Sequence, residues 1–231
     1  MEENKPNRYN RRHFLQNIVY GGAGVIILGS WGIKFITDEQ KQIIKAISVD
    51  FDKCTGCRTC EAVCAASNHP VKINGERVSG LGNPFLSNIK VHHFNPDVDI
   101  PVTCALCPDT PCIKACPVAP DIKTGRKALY RDEELLTIKN DKERCLGCGE
   151  CAKACENMRA GVIYPNEKTG KPERICTLCN GSPQCVEYCP YDALDYIEMP
   201  IDRDLKNLSP KKIAQRLIKK YYNIEITEAE L

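Results

Sequence analysis

The stretch Cys54-Thr-Gly-Cys-Arg-Thr-Cys-Glu-Ala-Val-Cys64 places four cysteines at the spacing C-x2-C-x2-C-x3-C. Three further groups of four cysteines follow it with similar spacing and unequal spacers, so the chain contains an internal repeat. The four groups are Cys54, Cys57, Cys60 and Cys64; Cys104, Cys107, Cys112 and Cys116; Cys145, Cys148, Cys151 and Cys155; and Cys176, Cys179, Cys185 and Cys189. This repeat predicts a fold that is organised around its cysteines.

The composition excludes several classes of protein. The 231 residues are 27% charged and 42% hydrophobic, as in a folded chain and unlike a disordered one. The formal net charge is +2, from 32 basic and 30 acidic residues, and such a balance gives no field that would attract nucleic acid. Aromatic residues make up only 6% of the chain, so something other than large apolar side chains must organise the core.

Three interpretations of the 16 cysteines compete. Disulfides are disfavoured because two-residue gaps crowd three sulfurs into one turn, whereas native disulfides close longer loops. Zinc is disfavoured because two C-x2-C knuckles per metal leave the third and fourth cysteine spacings unexplained. Iron is favoured because C-x2-C-x2-C-x3-C is the bacterial ferredoxin pattern, in which three close thiolates hold one [4Fe–4S] cluster and the fourth ligates its neighbour. Sixteen thiolates are enough for four such clusters.

The residues between the cysteines resemble a known family. Together with the opening stretch, the relevant segments are 104–117, 145–151 and 176–194. They are similar to the four motifs of the four-cluster iron–sulfur subunits of the DMSO reductase family. The short central gap of the fourth motif looks more like the compact branch, as in the ferredoxin-like subunits of tungsten aldehyde oxidoreductases and of ydh-type redox operons. The resemblance covers roughly residues 47–199, and Glu156 departs from it where proline usually follows the fourth cysteine.

The resemblance implies an α+β fold of two intertwined bacterial-ferredoxin-like modules with two [4Fe–4S] clusters each. Residues 46–103 and 176–199 would form one module, and residues 104–175 the other. It also implies that the last cysteine of each group crosses to another group. The implied ligand sets are Cys54, Cys57, Cys60 and Cys189 (set 1); Cys104, Cys107, Cys112 and Cys155 (set 2); Cys145, Cys148, Cys151 and Cys116 (set 3); and Cys176, Cys179, Cys185 and Cys64 (set 4).

The function that the resemblance implies is non-catalytic electron transfer. The chain would relay single electrons between a catalytic oxidoreductase subunit with a molybdenum or tungsten pterin and a membrane quinone partner or another carrier. Two alternatives stay open, namely a maturation or assembly factor and a free multi-cluster ferredoxin. No phosphate loop, hydrolytic triad or pair of catalytic carboxylates stands out in the sequence, so no catalytic residue is expected.

Residues 1–40 are expected to be a twin-arginine export signal or a membrane anchor. Arg11-Arg12-His-Phe-Leu15 precedes an apolar run from Ile18 to about Ile36. Twin-arginine export transports folded proteins, and this is the route that a chain needs if its clusters are assembled before it crosses the membrane. The run ends without an Ala-x-Ala cleavage site, and at roughly 18 to 19 residues it could just span a bilayer. We expect a periplasmic protein or one on the outer face of the cytoplasmic membrane, with a cytoplasmic location as the alternative.

Residues 200–231 are expected to form an amphipathic helical tail. Ser209 and Pro210 are typical of a helix start, and Ile213, Leu217 and Tyr221 then follow on one face among basic residues. This helix could bind a partner subunit or an anionic membrane, or it could pack on its own domain.

Shorter features complete the predictions from sequence. Strands are predicted at 46–51, 87–94 and 136–138, and one-turn helices at 61–63 and 153–154. His92 and His93 are adjacent on a predicted strand and point to opposite faces, so we assign them structural or surface roles. Tyr188, Tyr191 and Tyr196 are interpreted as packing residues around the fourth group.

Overall fold

The computed structural model describes residues 42–201 and 205–231, so the expected signal or anchor at residues 1–40 lies outside the described residues. Within these ranges, short strands and helices alternate, which confirms the expected α+β class. The strands are β1 (Ile43–Val49), β2 (Val71–Ile73), β3 (Glu76–Val78), β4 (Lys90–Phe94), β5 (Val98–Val102), β6 (Leu129–Arg131), β7 (Ile138–Asn140), β8 (Tyr164–Pro165), β9 (Pro172–Arg174) and β10 (Leu194–Pro200). The α-helices are α1 (Thr59–Asn68), α2 (Pro111–Lys114), α3 (Glu150–Met158), α4 (Gln184–Glu187) and α5 (Pro210–Tyr222), with 3₁₀ turns at Pro84–Leu86 and Leu178–Gly181.

The described strands pair as five separate two-stranded antiparallel sheets. Four of these sheets join strands that are neighbours in sequence. The fifth joins β1 to β10, in a register that runs from Ile43 opposite Pro200 to Val49 opposite Leu194. Because the first cysteine group follows β1 and the fourth group precedes β10, this long-range pairing brings the two groups to the same end of one sheet.

Three predicted strand boundaries are wrong by a few residues. β1 ends at Val49, because a turn begins at Phe51. β7 begins at Ile138, because Leu136 has a left-handed backbone with a φ of 56° that a strand does not accommodate. β4 begins at Lys90 because the chain before it forms a 3₁₀ turn and a bend.

The helices after the first and third groups are longer than the single turns that we predicted. α1 has ten residues and α3 has nine, and each begins before the third cysteine of its group. In α1 the buried residues include Cys60 and Cys64, four positions apart, and in α3 they are Cys151 and Cys155. Residues four apart share one helix face, so both cysteines of each pair point towards the interior.

Cysteines supply a large part of the core. One hydrophobic cluster surrounds β1 and β10 and includes the buried side chains of Ile47 and Leu194, while another surrounds β5, α3 and α5 and includes Ile100 and Ile218. Eight buried cysteines belong to these clusters: Cys60, Cys64, Cys176 and Cys185 to the first, and Cys112, Cys116, Cys151 and Cys155 to the second. Buried cysteine side chains therefore fill part of the core that aromatic side chains fill in other proteins.

The C-terminal helix α5 packs on its own domain. The Ser209 hydroxyl accepts a hydrogen bond from the Lys212 N–H at 3.3 Å, which confirms the predicted N-cap. Ile213, Ala214, Leu217 and Ile218 are buried, and the helix contacts β5. Tyr221 is not on this face, since its exposed hydroxyl donates to the Asp52 carboxylate at 2.6 Å. The apolar face is thus covered by the protein itself, and the lysines remain outside.

Within the described part of the chain, no helix combines the length and the apolar character needed to cross a membrane.

Candidate metal centres

The cysteine side chains meet around small cavities, and three of these cavities are lined by four cysteines each. In each cavity three cysteines come from one sequence group and the fourth is the last cysteine of another group. The three quartets are Cys54, Cys57, Cys60 and Cys189; Cys104, Cys107, Cys112 and Cys155; and Cys145, Cys148, Cys151 and Cys116. These are the residues of sets 1, 2 and 3, so the structure brings together the cysteines that the resemblance groups.

The remaining four cysteines are also neighbours. The Cys185 thiol interacts electrostatically with Cys176, Cys179 and Cys64, which are the other members of set 4. The Cys64 sulfur accepts a hydrogen bond from the Asn88 N–H at 3.3 Å. All 16 cysteines are free thiols, with none in a disulfide.

Each cysteine loop turns at the same position. The second residue after the first cysteine of a group has a left-handed backbone in all four groups: Gly56, Leu106, Gly147 and Leu178, with φ of 64°, 53°, 68° and 53°. At Gly56, Leu106 and Leu178 the N–H of this residue hydrogen-bonds to the sulfur of that first cysteine. The turn therefore points a backbone donor at a ligand sulfur. Sequence reasoning noticed the glycines but missed the two leucines, whose strain of about 1–2 kcal/mol is offset by burial.

Four buried thiols, one in each set, are poor acids without a metal. Burial raises the pKa of Cys60 and Cys112 to about 12, and that of Cys151 and Cys176 to about 11. The negative charge of other thiolates in the same set adds to each rise. Each of these thiols resists ionisation, so a cation is needed to replace its proton, because a metal ligand must be a thiolate.

The donor groups fit an iron–sulfur cluster. Among the described residues, no histidine, aspartate or glutamate lines the three cavities, so the available donors are soft thiolates. Quartets of cysteine are the usual ligands of [4Fe–4S] clusters. Backbone N–H groups that hydrogen-bond to ligand sulfurs are the usual means of tuning such clusters.

The four sets follow one another in a row. Cys185 of set 4 interacts with Cys60 of set 1, and Cys176 of set 4 acts on Cys104 of set 2. Cys112 of set 2 is in turn affected by Cys151 of set 3. The order is therefore set 1, set 4, set 2, set 3. Each terminal set has one exposed cysteine, Cys57 in set 1 and Cys148 in set 3.

Several known proteins are similar to this chain in sequence. No protein-family model matches the chain. The polyferredoxin-like subunit of an aliphatic sulfonate oxidoreductase from Pyrococcus furiosus is 36% identical over 139 residues, which are 60% of this chain and 67% of that one. The ferredoxin-like protein YdhX of Escherichia coli is 32% identical over 199 residues, covering 80% of this chain and 78% of YdhX. The chain belongs to the ferredoxin-like electron-transfer proteins.

A third member of this ferredoxin-like family shows how such chains are used. The thiosulfate reductase electron transfer subunit PhsB of Salmonella typhi is 33% identical over 155 residues, or 64% of this chain and 72% of PhsB. PhsB and the Pyrococcus furiosus protein are both named as subunits of an oxidoreductase. The expected iron–sulfur electron-transfer class is therefore confirmed, while membership of the DMSO reductase branch stays a prediction.

The histidines and tyrosines named in the sequence analysis are not among the candidate cluster ligands. His93 is exposed and its Nδ1 lies 3.1 Å from the Asp99 carboxylate, whereas the half-buried His92 ring stacks on Phe94. The interpretation of the tyrosines as packing residues is wrong for Tyr188, which is 56% exposed. Tyr191 is 49% exposed but lines the set 1 cavity, and Tyr196 packs against the hydrophobic cluster around β1 and β10.

Sequence reasoning missed a charged residue that lines the set 2 cavity. Arg159 follows α3 directly and lies beside Cys107. The sequence shows an arginine four positions after Cys155, but it does not show that the side chain points towards the set 2 cysteines.

Proposed function

We propose that this ferredoxin-like chain holds four [4Fe–4S] clusters and relays electrons between a catalytic oxidoreductase subunit and a second redox partner. The observation that carries the proposal is the unbroken row of four cysteine quartets, each built from three cysteines of one group and one of another. When bound, each cluster would accept and release one electron at a time. The chain's own contribution is to hold iron with 16 thiolates, to exclude water by burial and to direct backbone N–H groups at sulfur.

The four clusters would lie in two intertwined ferredoxin-like modules. Residues 46–103 with 176–199 form the module of sets 1 and 4, and residues 104–175 the module of sets 2 and 3. The pairing of β1 with β10 and the contact of α1 with α4 support the first module. The contact of α2 with α3 supports the second. Each set would take its fourth ligand from its module partner.

The partners follow from the resemblance and from the relatives. PhsB is named as a subunit of thiosulfate reductase, which supports a catalytic partner for this chain. The DMSO reductase resemblance favours a subunit with a molybdenum or tungsten pterin, and a membrane quinone subunit or another carrier at the other end of the row. The exposed cysteines Cys57 and Cys148 mark the two ends at which such partners would exchange electrons.

The function is tested by purifying the tagged chain anaerobically from its own host. We expect about 16 iron atoms and about 16 acid-labile sulfides per chain, four of each for every cluster, and a stable stoichiometric complex with a pterin-containing subunit. Stoichiometric zinc without sulfide would contradict the cluster assignment. Four clusters in a chain that elutes alone would point to a free ferredoxin, and a transient association with an immature enzyme would point to an assembly factor.

We also propose export by the twin-arginine route, with the protein periplasmic or attached to the outer face of the cytoplasmic membrane. The support is Arg11-Arg12 ahead of the apolar run, together with a cofactor that requires folding before transport. Changing both Arg11 and Arg12 to lysine should leave the cluster-loaded chain in the cytoplasm. Cell fractionation measures this, and unchanged export of the double variant would overturn the proposal.

A further inference from the structure

Arg159 is held in a fixed position at the edge of set 2. Its side chain is 23% exposed, and its Nη2 donates to the Asp109 carboxylate at 2.8 Å. Its Nη1 donates to the Met158 carbonyl at 2.7 Å, and its backbone N–H donates to the Cys155 carbonyl at 2.9 Å. These three hydrogen bonds hold Arg159, two of them through its guanidinium, beside the cavity that the set 2 cysteines line.

The guanidinium also faces the sulfurs of that cavity. Arg159 lines it together with Cys107 and Cys155, so its positive charge lies beside two cysteines of set 2. The Asp109 carboxylate, 2.8 Å from Nη2, partly neutralises this charge. Set 2 thus has a nearby cation and a nearby anion, and of the two only the cation lines the cavity.

In the part of the chain that the structure describes, the set 1 and set 3 cavities lack such a group, whereas in set 4 the charge of Lys206 acts on Cys176. Within the described residues, no charged side chain lines the set 3 cavity. Arg58 lines the set 1 cavity, but it is exposed to solvent, where water screens its charge. A half-buried cation interacts more strongly than an exposed one, because the effective dielectric constant is lower inside the protein.

We propose that the Arg159 guanidinium raises the reduction potential of the cluster in set 2, an inference that rests on the proposed four-cluster function. Reduction adds one negative charge to a cluster, and hydrogen bonds and positive charge at its sulfurs stabilise that charge. Asp109 has the opposite effect and limits the increase.

The experiment measures midpoint potentials by redox titration followed by electron paramagnetic resonance on the cluster-loaded chain. Arg159→Met should disfavour reduction of one cluster at least tenfold, a decrease of about 59 mV for one electron. Arg159→Lys should lower the same potential by less, because it keeps the charge but loses the planar donor group. Asp109→Asn should raise it, since the amide oxygen can still accept from Arg159 but carries no charge.

The control is Arg77→Met on β3, which removes one exposed arginine and should shift no potential. An unchanged potential in Arg159→Met with four clusters present would overturn the inference and leave the proposed function standing. Fewer than four clusters in the unaltered chain would overturn the function itself. If Arg159→Met loses its cluster, the two milder variants provide the test. The inference then requires a lower midpoint potential in Arg159→Lys and a higher one in Asp109→Asn, and unchanged potentials in both variants would contradict it.

Discussion

Replacing Cys57 or Cys189 by alanine is expected to remove the same cluster, although the two residues belong to the first and last groups of the sequence. Both line the set 1 cavity, so either change leaves that cluster with three ligands. Iron should fall from about 16 to about 12 atoms per chain, or to about 15 where a three-iron cluster survives. Iron analysis and the loss of one paramagnetic signal measure the effect.

Two double variants make this test specific. Cys57→Ala with Cys189→Ala should cost one cluster, because both cysteines belong to set 1. Cys57→Ala with Cys64→Ala should cost two clusters, although these residues lie in the same motif, because Cys64 neighbours the cysteines of set 4. The reverse result, two clusters lost in the first variant and one in the second, would show that each sequence group binds its own cluster.

Ile218→Ala is expected to destabilise the protein by about 2–5 kcal/mol, the usual range for removing a buried isoleucine side chain. Ile218 has 0% exposure and packs in the hydrophobic cluster that contains the set 2 and set 3 cysteines Cys112 and Cys151. Its loss would leave a cavity between α5 and the core. The urea midpoint of unfolding, followed anaerobically by far-ultraviolet circular dichroism, should fall accordingly.

The matched control for this variant is Ile122→Ala, the same change at a side chain that is fully exposed. It should leave the urea midpoint almost unchanged, because no apolar surface returns to water. Equal midpoints for the two variants would show that α5 is a loosely attached tail and not a part of the core. A lowered midpoint for Ile218→Ala alone supports the packed arrangement.

Much of this molecule could be predicted because its chemistry is local. Cysteines separated by two residues must lie close together, so the spacing around Cys54 and Cys145 points to metal ligation before any fold is known. The N-cap at Ser209 could likewise be predicted, since a serine followed by proline is a local helix signal. Strand boundaries were less predictable. The left-handed turn at Leu136, for example, has no glycine to announce it.

The use of α5 shows where prediction from sequence ends. The spacing of Ile213 and Leu217 predicts an apolar face, but the same face could bind a membrane, a partner subunit or the protein's own core. The structure decides between these, because the face is buried against the hydrophobic cluster around β5. Arg159 is a similar case, since only the folded chain shows that it lies beside Cys107 and Asp109.

The sequence by itself determined the number and type of the candidate ligands, because 16 cysteines in four groups with short fixed spacings supply soft donors whatever the rest of the chain does. The tertiary structure decided which cysteines meet. The pairing of β1 with β10 brings Cys189 to Cys57, and α1 carries Cys64 towards Cys185. Such contacts join residues more than a hundred positions apart, and they depend on the strand pairing and core packing of the whole domain.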